Sequence, residues 1–506
     1  MSFTTQIFLF IFFPVCLLCY YIAEIMEKNR YVQWIVRKLR IKDIVLIVFS
    51  MGFYMWACFD DIFRFIMYII CIYVAGKIIE RRRSGKVLLL IEDNGEVVSD
   101  KTDRYKKISW ALPWLCISVA GVVFCLVYFK YTYILADVWN FLFRREIKAQ
   151  SYLAPLGISF ITFSAVSYLV DIYRGDEAAG NLLDCALYLS FFPKVVSGPV
   201  VLWKDFKRQI SVRTQNIDKC VYSLNRIMLG FAKKLILADQ FGAFIAGVTF
   251  YEGGMDPLTT LGTMFAYMLQ IYFDFSGYSD IAIGLAGLFG FEFKENFNFP
   301  YCSKSVSEFW RRWHISLGTW FREYVYIPMG GSRRGKRNTI RNQAVVFLLT
   351  GIWHGAGWSY LLWGGINGLF VILERLVADK KAYQKTPNVL KWFFTMTITF
   401  IAWQLFRFPD MEDLKICFGS LFAQYPLAEL PYTWKYYFDA RIIFLMIVGA
   451  LGSTLFGWEK LKIWCKKATS SGIGFLIQEL VIFVLFIVAI LCMVNSTYSP
   501  FIYFQY

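Results

Sequence analysis

Apolar and polar positions fall in long blocks along this chain. Uncharged stretches cover residues 7–23, 109–129, 151–170, 257–273 and 442–458, and one at 342–373 runs for 32 residues. A bilayer core takes about 20 residues of apolar helix, so these blocks predict membrane-spanning helices. Shorter apolar stretches at 44–59, 392–406 and 480–494 bring the expected total to about ten to twelve spans. The pattern specifies an all-α, polytopic membrane protein.

Two regions cannot be plain spans. Residues 189–203, LSFFPKVVSGPVVLW, place Pro193, Lys194, Gly198 and Pro199 inside an apolar stretch. Non-helical backbone at membrane depth requires protein or a water-lined cavity to satisfy its polar groups. The 342–373 stretch would be roughly 48 Å long as one helix, against a bilayer core of ~30 Å. It must bend, tilt or break, and Gly351, Gly355 and Gly357 around His354 mark the place for a break. A glycine-rich packing face accounts for the same residues. Residues 305–325 follow a helical period with Trp310, Trp313, Leu317, Trp320, Phe321 and Tyr324 on one face. Arg311, Arg312, Thr319, Arg322 and Glu323 lie opposite, which predicts an amphipathic interfacial helix with His314 at the edge of its apolar arc.

Composition agrees: 58% of the 506 residues are hydrophobic and 18% are charged, which excludes a soluble multidomain enzyme. The 53 Lys and Arg against 37 Asp and Glu give a formal +16. That charge collects beside apolar blocks, at 27–42, 77–107, 333–341 and 459–467, where it orients spans rather than binding nucleic acid. The first basic residue, Lys28, follows the first apolar block, so 7–23 reads as a retained span with the N-terminus outside. Nothing resembling an interdomain linker appears, and a single membrane domain, 1–506, is expected. Its longest polar interruption is a cytoplasmic excursion at 81–107, where Asp93-Asn94-Gly95 between β-prone runs signals a hairpin. Cys16 and Cys19 share a CxxC spacing inside an apolar helix without His, Asp or basic neighbours, which favours packing over redox or zinc chemistry.

Candidate chemistry is sparse. The chain has two histidines, His314 and His354, 40 residues apart. An imidazole inside a span is a functional hypothesis, because burial is costly and a neutral ring can act as a general base near pH 7; a core histidine bonded to a carbonyl is the alternative. Asp171, Arg174, Lys194, Asp274 and Asp280 are further intramembrane polar residues. They suit a proton or cation relay, or equally internal ion pairs and helix caps. No Walker loop, nucleophile elbow or paired-cysteine metal site is present.

The segments SEFWRRWHISLGTWFREYVYIPMGG, LLTGIWHGAGWSYLLWGGING and YFDFSGYSDIAIGLAGLFGFEFKENFNFPY resemble the membrane-bound O-acyltransferases, above all the bacterial branch that contains the alginate O-acetyltransferase membrane subunit. FLFIFFPVCLLCYY, APLGISFITFSAVSYLVDIYRG, SFFPKVVSGPVVLWKDFKRQI, GFAKKLILAD and the terminal SPFIYFQY extend the likeness over nearly the whole chain; the 81–107 excursion departs from it. The resemblance implies broken and interfacial helices around a central cavity or tunnel in a bacterial plasma membrane. It implies His354 as the catalytic histidine and His314 as a second functional one; Asn296, Trp310 and Trp353, close to these motifs in sequence, are expected along the substrate path by adjacency. It further implies no bound cofactor. An acyl thioester, acetyl-coenzyme A or an acyl carrier, would be the donor, a polysaccharide the acceptor, and an extracytoplasmic protein the partner in acetyl transfer. D-alanyl transfer to teichoic acid is the alternative within the family, and a polysaccharide or proton-coupled transporter the alternative outside it.

Overall fold

The computed structural model describes residues 2–84, 100–144, 154–248, 254–355, 357–422, 432–457 and 459–495. They form helices and connecting turns, with no strand among the described residues. Among the described residues six helices are long and apolar enough to cross a membrane: Phe8–Lys28, Phe59–Arg83, Trp110–Thr132, Trp358–Val377, Asn388–Arg407 and Gly472–Asn495. The protein is an all-α, multi-pass membrane protein. The chain clusters as two compact units. One holds 3–220 with 285–294, and the other holds 221–284 with 295–506.

The first unit contains the helices Phe13–Lys28, Ile41–Ala57, Ile62–Ser84, Asp100–Phe143 and Ile158–Arg174. The expected excursion is in part a continuation of helices: Ile62–Ser84 and Asp100–Phe143 enter the 81–107 segment from either side, and the hairpin signal lies outside the described residues. The proline-rich segment behaves as membrane depth demands. After the helix Leu182–Ser190 only a single turn, Phe192–Val195, precedes an irregular path to Trp203, and every residue from 190 to 203 is buried. Side chains satisfy the freed backbone. Tyr188 donates to the Val201 carbonyl at 2.8 Å, and Ser167 Oγ accepts from Trp203 N at 2.9 Å. Asp171 accepts from Lys204 N at 3.0 Å, and so caps the helix Trp203–Ile210. Lys194 donates to Ser164 Oγ at 2.9 Å and lies 4.0 Å from the Tyr188 ring. Asp171 and Lys194 are thus engaged in holding irregular chain, and Arg174 ends the helix Ile158–Arg174, closed by Gly175 at φ 76°.

The second unit is built on Pro257–Leu288, a 32-residue helix that belongs to it as far as Gly284. Its interior carboxylates are neutralised. Asp274 lies 2.7 Å from Lys234, which also reaches Asp239 at 2.7 Å, while Asp280 lies 2.5 Å from Arg226 and 2.6 Å from Lys233. The helix Ile217–Ala232 supplies Arg226 and crosses with its backbone against Gly277, where a Cβ on Gly230 would stand 2.6 Å from the Gly277 carbonyl.

The long uncharged stretch breaks where its glycines predict. Lys336–His354 ends at Gly355, and Trp358–Val377, preceded by Gly357, returns beside it as a helical hairpin. The glycine-face reading holds as well, since a Cβ on Gly351 would meet the Tyr360 carbonyl at 2.6 Å and one on Gly364 the Phe347 carbonyl at 2.6 Å. One helix over 305–325, by contrast, is corrected. The segment comprises Val306–Arg312, a break at Trp313 and His314, then Ile315–Phe321 and the π-helical turn Arg322–Tyr326. Tertiary hydrogen bonds impose the break: Ile315 N donates to the Asn296 carbonyl at 3.0 Å and Asn298 N to the Arg312 carbonyl at 2.9 Å.

Candidate functional site

His354 is the last residue of Lys336–His354, buried at the hairpin break. Its ring packs edge-on against Trp353 at 4.6 Å, Trp363 at 5.0 Å and Phe406 at 5.0 Å, so the break has placed an imidazole among aromatic walls. Trp310 joins the same wall, with its ring 5.4 Å from Trp363 and its Nε1 donating to Asn367 Oδ1 at 3.2 Å. Trp310, Trp353 and His354, singled out by adjacency in sequence, therefore share one cluster.

His314 is placed differently from its expected edge position. It is 2% exposed and adopts the left-handed conformation, φ 44° and ψ 52°, which a residue with a side chain enters at a cost of about 1–2 kcal/mol. Such strain persists only where neighbours over-determine it. Here the determinant is Asn296, itself fully buried. Asn296 Oδ1 faces His314 Nδ1 at 3.1 Å, Ser316 Oγ at 2.8 Å and the Ser316 backbone N at 3.2 Å, while Nδ2 donates to Ser279 Oγ at 3.1 Å. A backbone N–H only donates, so the atom it faces is the amide oxygen. His314 Nδ1, facing that same oxygen, must carry a proton.

The electrostatics then follow. His314 lies outside the six apolar spans, and burial pushes its imidazole down to about 3, so the ring is neutral. With the proton on Nδ1, the lone pair is on Nε2, and that nitrogen is buried without a hydrogen-bond partner. A neutral ring held in one tautomer can accept a hydrogen bond from a substrate hydroxyl, but it cannot donate one to a carbonyl from Nε2. Phe275 fixes the ring plane from the side, with centroids 4.6 Å apart.

The two histidines sit on one aromatic relay. From His354 the rings pass to Trp363, to Trp403 at 6.3 Å and to Trp313 at 4.7 Å, the residue before His314. The sequence reading missed Trp363, Trp403 and Phe406, whose aromatic rings in apolar spans look like ordinary membrane anchors, and Ser279 and Ser316, which carry no signal of their own. Asp171, Asp274, Asp280 and Lys194 are not brought into this cluster by the bonds described above. No group of three or more His, Cys, Asp or Glu able to hold a metal occurs among the described residues.

Known proteins match this arrangement over long stretches. A family model described as the membrane-bound O-acyltransferase family matches residues 108–408, which include both histidines and Asn296. The chain is 34% identical to a probable alginate O-acetylase of Pseudomonas putida over 526 aligned positions, covering 100% of both chains. It is 31% identical to a peptidoglycan O-acetyltransferase of Helicobacter pylori, covering 63% of this chain and 66% of that one. Similarity to a teichoic acid D-alanyltransferase of Streptococcus thermophilus, at 34% identity, covers 47% of this chain and 60% of the relative. With a buried histidine at the break between two packed helices, a second histidine locked in one tautomer, and these matches, the chain belongs to the membrane-bound O-acyltransferase family and is an acyltransferase.

Proposed function

We propose that the protein transfers an acetyl group from a thioester donor on the cytoplasmic side to hydroxyl groups of a polysaccharide outside the cell, in a bacterial inner membrane with the N-terminus outside. The observation that carries this reading is the setting of His354, an imidazole presented at the break of a helical hairpin within an aromatic wall. It removes the proton as the acceptor oxygen attacks the thioester carbonyl, the C–S bond breaks, and the proton passes to the departing thiolate. His314 holds the acceptor through its Nε2 lone pair; the tautomer argues for this role over polarising the carbonyl. The donor is acetyl-coenzyme A or an acyl carrier, and an extracytoplasmic partner protein completes delivery to the glycan.

Full-length similarity to an alginate O-acetylase supports acetyl over D-alanyl transfer, since the match to the D-alanyltransferase spans under half of the chain. The transporter reading loses its working residues, because Asp274 and Asp280 are engaged in ion pairs. The test is His354→Ala in the native host, with normal membrane insertion verified and ester-linked acetate on the exopolysaccharide measured. Acetate should fall by roughly 10²-fold or more, the scale of a lost general base, and an unchanged acetate content would sink the assignment.

A further inference from the structure

A cavity apart from the histidines lies within the first unit. It encloses about 360 Å³ and is lined mainly by charged side chains of the 27–43 segment, together with Asp184, Lys207 and Arg213. Its carboxylates are already engaged. Asp43 is held between Arg40 at 2.5 Å and Arg213, Asp184 between Arg40 at 2.6 Å and Lys207 at 2.5 Å, and Glu27 pairs with Lys42 at 2.6 Å. Arg37 lines the same cavity without an ion-pair partner among the described residues, so the lining holds five cations against three carboxylates.

Arg213 makes this more than an internal ion network. Its side chain is 4% exposed and lies 4.7 Å from the Phe291 ring; Nη2 reaches Asp43 and the Tyr20 hydroxyl stands nearby, yet Nε and Nη1 have no hydrogen-bond partner. Buried guanidinium donors without acceptors are costly, and a phosphate oxygen is a charged acceptor that would satisfy one of these N–H groups. The neighbouring short helix Gln33–Leu39 indicates the depth of the site. Trp34 and Ile35 are exposed beside Arg37 and Lys38, the combination found at the headgroup level of a bilayer.

We propose that this cavity is a phosphate-binding site that takes a phosphate ester at the membrane surface bearing the basic 27–42 segment. Two sources share that chemistry: the headgroup of an anionic phospholipid and a soluble phosphate such as those of coenzyme A. The full-length protein is reconstituted in nanodiscs of phosphatidylcholine with or without phosphatidylglycerol, and bound lipid is counted by native mass spectrometry. Binding of inorganic phosphate and of coenzyme A is measured in phosphatidylcholine alone. Saturable retention of phosphatidylglycerol supports the lipid source, and saturable binding of phosphate or coenzyme A the soluble one.

In either case Arg37→Gln, an exposed change that leaves every ion pair intact, should weaken binding about fivefold, while Lys466→Gln in the separate basic helix Glu459–Thr469 should not. Arg213→Gln should weaken it further. Because Arg213 is buried, its binding result is read only if the thermal transition of the variant matches wild type, and Arg37→Gln decides the matter otherwise. Absence of saturable binding to all three probes, or equal loss in Arg37→Gln and Lys466→Gln, overturns the proposal.

Discussion

At the scale of single residues, the arrangement turns on which nitrogen of His314 carries the proton. Asn296 settles this through one backbone N–H, that of Ser316, which obliges the atom it faces to be oxygen. Asn296 is therefore a positioning residue with a pH signature. In the wild type, His314 at about 3 stays neutral across the physiological range, so the transfer rate should show no limb from this residue between pH 5 and 8. Asn296→Asp places a carboxylate against Nδ1–H and favours the imidazolium, which raises the pKa of the ring. Activity should then fall as pH drops through that raised value, because Nε2 loses its lone pair. Asn296→Ala should lower kcat roughly 10- to 100-fold at every pH, the usual scale for a misplaced group. Rates of acetyl transfer by membranes of each variant between pH 5 and 9 would distinguish these outcomes; three identical profiles would refute the positioning role.

Elements differ in how far the sequence discloses them. The break at His354 is legible because length alone forbids a straight 32-residue helix and because glycine supplies both the turn and the close packing of the two arms. The break at His314 is not legible. The 3.6-residue period continues from Trp310 through Tyr324, and the left-handed residue is imposed by bonds from Asn296 and Asn298, which sequence spacing does not reveal. The same limit hides Lys234 as the partner of Asp274, a pairing that exists only once two helices are packed. The hairpin gives a sharp test, since its two adjacent glycines face different surroundings. Gly364→Ala drives a Cβ to 2.6 Å from the Phe347 carbonyl, whereas Gly365 has open space around it. Gly364→Ala should destabilise by about 1–3 kcal/mol and Gly365→Ala should be neutral or stabilising by up to about 1 kcal/mol. Thermal aggregation of the two variants in detergent would reveal the difference, and equal midpoints would contradict the described packing.

For the whole molecule, the charge balance concerns orientation. The stretches 27–42 and 459–467 flank apolar spans, and the positive-inside rule assigns both to the cytoplasm. Single cysteines replacing Lys38 and Lys466, in a chain whose native cysteines are masked, should both be labelled from the cytoplasmic face by a membrane-impermeant thiol reagent. Labelling of either from outside would overturn the assignment. Five of the six long apolar helices fall on stretches expected from hydropathy, and Phe59–Arg83 matches none of them, while Pro257–Leu288, expected over 257–273, runs on past Asp274 and Asp280 because packing supplies those carboxylates with cations.

The hairpin break has one more consequence. Lys336–His354 is 19 residues long and ends at the imidazole, so its peptide dipoles converge there and bring roughly half a negative charge to the ring. On the proposed reading, the positive charge that appears when His354 takes the acceptor's proton is met by the backbone of this helix end. Substitution at no single position can delete that stabilisation, but moving the end of the helix by one turn would.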